Sequence, residues 1–397
     1  MSLVSPGMKG LVVPKRTEDY SADPVELFFD LAFVFAFSQL VGLLIKEPDW
    51  TGAGKAALLF GLLWLPWSQF TWSANTVPGN NRIVRVIFLI ATAASVPMAA
   101  AVTTAFDEGG AVFAIPLGMI SLAGIGLLVL GAERGSQNYR AVLTYSVPTI
   151  VAFLAIIAGG FLEDGARVAA WIVGLLIFIG STLAAGRGEW AIRAGHFAER
   201  HALIVIVALG EVIVAIATPL VASLEEGEGL SSSTVLALIA AGVFAGLLWW
   251  GYFDRPQPAL EYGLDRAPLD AKGRYARDVY TYGHMPIVAG VIAASAALEE
   301  VTLHPGDPLP VEFRVMMFIG LVLFFGGIGI DVFRAWRAIA RERIAGGVLT
   351  VVLLLVGADL DGVVLVLLID LLILLVLVTE NWRIERVRSA ATAGGEG

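Results

Sequence analysis

The stretch VELFFDLAFVFA, residues 25–36, carries two carboxylates inside a segment that is otherwise apolar enough to cross a bilayer. Glu26 and Asp30 are four residues apart, about one turn of an α-helix, so their side chains share one face. A carboxylate in the hydrocarbon core of a membrane costs roughly 2.5–3.5 kcal/mol on insertion scales. Two carboxylates on one face therefore predict a polar interior or a water-filled path, rather than lipid, on that side of the helix.

The composition of the whole chain is that of a polytopic membrane protein. The chain has 397 residues, of which 57% are hydrophobic and 15% charged, whereas a soluble domain carries about 25% charged residues. Residues 1–24 contain no apolar core of the length of a signal peptide, so the first span is expected to act as an uncleaved start signal. The absence of cysteine excludes disulfides, thiolate metal sites and thiol catalysis within the chain.

Twelve apolar stretches are long enough to be predicted as transmembrane helices. The last two are separated only by a turn that Asp359 and Asp361 mark, and the alternative is a ten-span protein in which 344–380 is re-entrant. The predicted spans are 25–45, 56–74, 83–104, 110–131, 141–161, 166–186, 201–222, 232–253, 279–298, 312–333, 344–358 and 362–380.

Basic residues predict the orientation of these spans. With the amino terminus in the cytosol, all but four of the 26 lysines and arginines fall in cytosolic segments. The exceptions are Lys46, Lys55, Arg167 and Arg314. Because cytosolic loops of membrane proteins are rich in lysine and arginine, both termini are predicted to lie inside.

A series of matches between the two halves indicates an internal duplication of six spans. The predicted repeats are 25–187 and 188–382, between cytosolic tails 1–24 and 383–397. An even number of spans gives the repeats the same orientation, as in transporters whose parallel repeats enclose the substrate site. The matches, in the same order in both halves, pair Glu26 with Glu199, 62–64 with 247–249, Arg82 and Arg85 with Arg274 and Arg277, and Pro97 with Pro286. The two prolines are candidate hinges.

Polar residues inside the first, seventh and ninth spans define the candidate site. Glu211 lies ten residues beyond His201, about 15 Å deeper, so it is predicted near the middle of the bilayer. There it could carry a proton or a cation, or act only as a hydrogen-bonding contact between helices. Gln39 reaches the corresponding depth in the first span. The residues predicted together near the cytosolic side are Glu26, Asp30, Glu199, Arg200, His201, Tyr282 and His284.

The group near the cytosolic side has two interpretations. It fits a proton relay, because histidine exchanges protons near neutral pH. It also fits an ion-pair cluster that fixes the ends of helices. His196 and His201 are five residues apart, which is not a ligand spacing on one helix, so neither a metal nor another cofactor is predicted. Asp370 is a second acid at mid-membrane depth if the last helix spans.

Two other features are interpreted as structural. The run 326–329, with three glycines, suits close packing of helices. Five tryptophans are assigned to the membrane interface or to packing: Trp64, Trp67, Trp72, Trp249 and Trp250.

Five motifs resemble the bacterial low temperature requirement protein A family: 25–36, 196–201, 208–211, 249–254 and 282–286. The resemblance covers roughly residues 20–345. It implies a multi-pass protein of the bacterial cytoplasmic (inner) membrane, in a family named for a cold-growth phenotype rather than a reaction. The motif residues that it carries over are Glu26, Asp30, Glu199, Arg200, His201, Glu211, Tyr282 and His284.

The sequence thus predicts an all-α membrane protein that is not an enzyme. Its predicted activity is that of a secondary transporter or permease, with proton linkage through Glu211 and the cytosolic group. The alternatives are a cation channel lined by the same acids and a non-transporting membrane factor for growth at low temperature. The predicted partners are the lipid bilayer and an unidentified small solute or ion, without nucleic acid, in a monomer or a homo-oligomer.

Overall fold

The chain is helical almost throughout in the computed structural model, which describes residues 22–77, 81–186, 190, 192–225, 229 and 231–393. In this part no strand occurs, and one isolated bridge joins Pro308 and Asp361. The α-helices are α1 (Pro24–Lys46), α2 (Trp50–Ala74), α3 (Arg82–Ala100), α4 (Gly110–Gly131), α5 (Gln137–Gly159), α6 (Asp164–Ala185), α7 (Ala194–Glu225), α8 (Ser232–Phe253), α9 (Pro256–Arg266), α10 (Leu269–Tyr275), α11 (His284–Leu303), α12 (Val311–Trp336), α13 (Arg341–Val356) and α14 (Gly362–Ala393).

Local sequence fixes the start of α1. The Asp23 side chain accepts a hydrogen bond from the Val25 backbone N–H at 3.1 Å. Glu26 accepts one from the Asp23 N–H at 3.4 Å, which completes a capping box. Pro24 occupies the first helical position, where its fixed φ favours the helix and no N–H is needed. The cap sets the register that places Glu26 and Asp30 on one face.

Ten helical stretches are long and apolar enough to cross a membrane, among the residues that the structure describes. Helices occupy all twelve predicted positions, but α2 and α13 are not among these ten. The 16 residues of α13 span about 24 Å, less than the roughly 30 Å of a hydrocarbon core. In α2, Ser68, Gln69 and Thr71 interrupt the apolar sequence and are buried within the protein. The all-α membrane class is confirmed, and the count of twelve stays a prediction.

The chain forms two compact units. Unit one contains 1–208 and 259–285, and unit two contains 209–258 and 286–397. In unit one, α1 packs on α2 and α3, and α4 packs on α2, α3 and α5; in unit two, α14 packs on α8 and α13. These units are groups of contacting residues, so they do not test the predicted repeat boundary at 187/188.

Aromatic rings join the first three helices of unit one. The rings of Phe29 in α1 and Phe70 in α2 stack with centroids 4.5 Å apart. Phe88 in α3 lies edge-on to Phe70 at 4.9 Å. All three side chains are fully buried. Phe29 lies between the two acids of α1 in sequence, so this packing holds the acidic helix against its neighbours.

Two separate helices, α13 and α14, lie within residues 341–393, and the re-entrant alternative for 344–380 stays a prediction. α14 qualifies as a span over Gly362–Arg386. Arg343 of α13 binds Glu380 of α14, with Nη2 2.9 Å from Oε2. The helix continues through residues 383–393, the described part of the predicted cytosolic tail.

In unit two, α11 and α12 approach most closely at a pair of glycines. A Cβ added to Gly320 would lie 2.7 Å from the carbonyl oxygen of Gly290, and one added to Gly290 would lie 2.5 Å from the carbonyl oxygen of Gly320. Both distances are shorter than van der Waals contact. Because the atoms met are backbone atoms, the two helices would have to separate to admit a methyl group.

Gly320→Ala is therefore expected to destabilise the protein by about 1–3 kcal/mol. Gly326→Ala on the same helix is the matched control, because a Cβ there meets nothing within 4 Å. Its higher helix propensity should leave stability unchanged or raise it by up to about 1 kcal/mol. Thermal unfolding of the purified protein in detergent measures both, and equal melting temperatures would contradict the tight crossing.

Candidate functional site

Four ionisable side chains from α1 and α7 meet inside unit one and form what we call the ion network. The Arg200 guanidinium donates two hydrogen bonds to Asp30, from Nη1 to Oδ2 and from Nη2 to Oδ1, both at 2.8 Å. His196 Nε2 lies 3.0 Å from Glu26 Oε2. Arg200 Nε lies 3.6 Å from the same oxygen. All four residues are at most 2% exposed.

Helical register explains how the network forms. Glu26 and Asp30 are one turn apart on α1, and His196 and Arg200 are one turn apart on α7. Because the two pairs have the same spacing, the two side chains on α1 can face the two side chains on α7 at successive turns. The sequence analysis predicted Glu26, Asp30 and Arg200 but omitted His196. The matching four-residue spacing was the signal that could have found it.

The ion network contains more acid than base. With His196 neutral, two carboxylates face one guanidinium, so the net charge is −1. Arg200 donates two hydrogen bonds to Asp30, whereas the basic groups near Glu26 are His196 and the more distant Nε of Arg200. Buried charge in a membrane protein must be paired. A single proton shared by Glu26 and His196 therefore brings the network to neutrality.

Tryptophans of α2 hold this region by hydrogen bonds in addition to the predicted packing, in which the rings of Trp64 and Trp67 lie 4.6 Å apart. Trp67 Nε1 donates to Asp30 Oδ1 at 2.9 Å. Trp64 Nε1 donates to the Thr281 carbonyl at 2.8 Å, and Trp72 Nε1 donates to Thr281 Oγ1 at 2.9 Å. By contrast, Trp249 and Trp250 are 50% and 43% exposed, in keeping with the earlier interpretation.

Two buried histidines lie beside the ion network. The rings of His201 and His284 are 5.3 Å apart, and Trp67 lies edge-on to His201 at 5.1 Å. Each Nδ1 faces a backbone carbonyl, that of Phe197 for His201 and that of Val279 for His284. A carbonyl accepts only, so Nδ1 carries the proton in both rings. The neutral His201 then presents Nε2 as an acceptor, and this atom has no hydrogen-bond partner within the described ranges.

A π-helix over Ala276–Thr281 positions the second histidine, a feature that the sequence analysis did not predict. The Tyr282 N–H donates to the Arg277 carbonyl five residues earlier, at 2.9 Å. The Tyr280 ring stacks on His284 with centroids 5.1 Å apart. π-Helical turns occur preferentially at functional sites.

The remaining predicted residues of unit one lie outside the ion network. The Glu199 carboxylate, half-buried, accepts from the Ala22 N–H at 2.8 Å. The Tyr282 hydroxyl bonds the Thr182 hydroxyl. Gln39 is half-buried in α1. Pro97 lies near the end of α3, and no contact there tests its role as a hinge.

Unit two contains the other buried acids. Glu211 in α7 is fully buried, and Asp370 in α14 is 5% exposed. Both lie in candidate membrane spans. The carboxylate oxygens of Asp370 make no hydrogen bond in the part of the chain described. Pro286 lies in the first turn of α11, where proline is readily accommodated, so it does not break that helix.

No group of three or more histidine, aspartate or glutamate side chains with metal-binding geometry occurs among the described residues. In the ion network, each of the four carboxylate oxygens already accepts a hydrogen bond, from Arg200, Trp67, His196 or the Asp23 N–H.

The fold and the ion network define a multi-pass helical membrane protein with paired charges buried among its spans. The chain belongs to the bacterial low temperature requirement A protein family, whose model matches residues 21–379. The predicted family is thereby confirmed. A protein of Rhizobium meliloti (strain 1021), named only as uncharacterized, is 30% identical over 328 residues, which are 79% of this chain and 77% of that protein. No solved structure matches.

Asp30→Asn should be strongly destabilising, because it leaves the buried Arg200 guanidinium without its paired charge. Removing one partner of a buried ion pair costs about 3–5 kcal/mol. Glu199→Gln is the matched control, since that carboxylate is half-buried and bonds a backbone N–H. This control substitution should lower the free energy of unfolding by about 1 kcal/mol or less. Thermal unfolding in detergent compares the two, and similar melting temperatures would contradict the central role of the pair.

Proposed function

We propose that this protein is a proton-linked secondary transporter in which the ion network is a proton-binding site. The observation that carries the proposal is the imbalance of the network, two carboxylates against one guanidinium and one histidine, all buried. A purely structural pairing needs one acid for one arginine. The extra acid–histidine pair provides a group whose charge changes when one proton binds or leaves.

Glu26 and His196 are the proposed site of proton exchange. Asp30 is held by three hydrogen bonds, two from Arg200 and one from Trp67. Glu26 accepts from His196 and from the backbone N–H of Asp23. Glu26 also lies in the first turn of α1, near the end of the span. Protonation there weakens the attraction of Glu26 for Arg200 without disrupting the Arg200–Asp30 pair.

Glu211 is the proposed second proton-binding group, inside the candidate span Ala194–Thr218. Its complete burial supports this role, because an intramembrane acid without a function would be selected against by its insertion cost. His201, His284, Glu199, Tyr282 and Gln39 complete the proposed pathway. The substrate is a small solute or ion, and the proposal includes no enzymatic step and no nucleic acid.

We infer a topology of twelve spans, as two parallel six-helix repeats, with both termini in the cytosol of the inner membrane. The distribution of lysine and arginine supports it. Helices at all twelve predicted positions also support it. Pro97 and Pro286 are the proposed hinges in this arrangement.

Single cysteines test the topology without background, because the chain has none of its own. Glu133 and Glu163 are exposed in loops that the proposal places on opposite sides. A membrane-impermeant maleimide should label Glu163→Cys in intact cells, and Glu133→Cys only in inside-out vesicles. Labelling of both variants from the same side would refute the orientation.

Infrared difference spectroscopy during a pH titration tests the proton site. The wild type should show a protonated-carboxyl band that disappears in Glu26→Gln and persists in the control Glu199→Gln. A band unchanged in folded Glu26→Gln would refute the assignment of Glu26.

Transport is tested in proteoliposomes that contain a pH-sensitive dye and are exposed to a panel of solutes under an imposed membrane potential. A solute-dependent pH change is expected in the wild type and in the control Glu163→Gln, whose carboxylate is exposed in a loop outside the proposed pathway. The rate should be at least tenfold lower in Glu26→Gln and Glu211→Gln, since removal of an acid–base group typically costs about 10²–10⁴ in rate. Sustained unitary currents in planar bilayers would instead favour a cation channel. Normal growth at low temperature with all transport absent would favour a non-transporting factor.

A further inference from the structure

A groove with a volume of about 430 Å³ lies between α12, α13 and α14 in unit two. Pockets for small molecules have volumes of roughly 300–1,000 Å³. Its walls are almost entirely apolar, with Phe325, Ile330 and Phe333 on the α12 side. Ile330 and Phe333 are 54% and 42% exposed, so they are available to an apolar occupant.

Glycines keep the groove open. A Cβ added to Gly326, Gly329 or Gly347 would meet nothing within 4 Å, and all three residues line the groove. This corrects the interpretation of 326–329 as a site of close helix packing, since only Gly327 of its three glycines is buried. Gly326 and Gly329 face space because the neighbouring helix stands away from them.

A buried arginine also lines the groove. Arg343 is 8% exposed, and its Nε and Nη2 bond the carboxylate of Glu380. Nη2 also donates to the Gly251 carbonyl at 3.0 Å. Nη1 is enclosed and has no hydrogen-bond partner in the described part of the chain. A buried donor without a partner requires an explanation, and a bound acceptor supplies one.

The same end of the groove favours an anion. Residues 338–340, which line it, lead into α13, whose N-cap Ala340 makes no side-chain hydrogen bond to the helix. Helix N-termini attract negative charge. Arg337 and Arg341 flank this segment and are exposed. The nearby acid Glu342 is engaged, because hydrogen bonds from Arg383 hold the pKa of its carboxyl below the ordinary value.

We propose that the groove binds one anionic phospholipid, with an acyl chain along Gly326 and Gly329 and the phosphate at Arg343 Nη1 and the start of α13. The observations require an occupant that is apolar along most of its length and anionic at one end. A membrane supplies such a molecule to any groove that opens among its spans. Binding would give Arg343 Nη1 its missing acceptor and cover the exposed apolar wall.

Lipid titration of the delipidated protein tests the proposal, with native mass spectrometry to count bound molecules. Phosphatidylglycerol and phosphatidylcholine with identical chains are the probes. The wild type should bind one phosphatidylglycerol about tenfold more tightly than phosphatidylcholine. Both lipids carry the phosphate, but the choline cation, which phosphatidylglycerol lacks, would be repelled by the exposed Arg337 and Arg341. Equal affinities for the two lipids would overturn the proposal.

A second experiment fills the groove with larger side chains. The double variant Gly329→Leu and Gly347→Leu places side chains in open space, so it should fold and weaken phosphatidylglycerol binding by about tenfold or more. Gly242→Leu in α8 is the control, because its Cβ also meets nothing within 4 Å and Gly242 does not line the groove. Unchanged binding in the folded double variant would overturn the proposal.

Arg343→Lys tests the binding of the lipid headgroup separately from the binding of the acyl chain. Lysine keeps a cation opposite Glu380 but has no planar fork with a free second nitrogen. Because both lipids carry the phosphate, the substitution should weaken the binding of each by a similar factor. Unchanged affinities in the folded variant would overturn the place of the phosphate, and the glycine variants test the groove independently.

Discussion

The pairing of Arg200 with Asp30 is the interaction on which unit one depends. Neither charge could remain among the membrane helices alone, because an ion without a partner in hydrocarbon is expensive. Together they form a bidentate pair of two hydrogen bonds from the guanidinium to the carboxylate. Trp67 donates a third hydrogen bond to the same carboxylate. The pair links α1 to α7 across 170 residues of sequence. The aromatic side chains that pack around Phe29 then surround this ion pair.

In the proposed function, Glu26 and His196 give this structural contact a second capacity. The two interpretations drawn from the sequence, an ion-pair cluster and a proton relay, would then describe different parts of one network. Asp30 and Arg200 would be the fixed pair, and Glu26 with His196 would be the part that changes its charge. A site of this kind needs one ion pair that stays fixed and one pair of groups whose charge changes, because the change in charge must leave the helices assembled.

Much of the fold could be predicted from the sequence, because hydropathy and length depend only on neighbouring residues. The positions of the helices, Glu26, Asp30 and Arg200 as site residues, and the family all followed from local patterns. His196 and the hydrogen bonds of Trp64, Trp67 and Trp72 did not, because helical register shows which residues share a face but not which helix that face meets. The glycines at 326 and 329 show the same limit. Small residues permit close packing or an open groove, and the neighbouring helix determines which occurs.

The π-helix at Ala276–Thr281 is, in terms of sequence alignment, a one-residue insertion in an otherwise α-helical segment. Its ladder closes over five residues, so the wider turn absorbs the extra residue and the chain after it keeps its rotational phase. An insertion or deletion of one residue elsewhere in the segment, where no wider turn absorbs it, would rotate everything after it by about 100° around the helix axis. His284 would then move away from His201, whose ring it faces at 5.3 Å. The chain length of this segment is therefore itself a determinant of the site, as specific as the identity of any side chain in it.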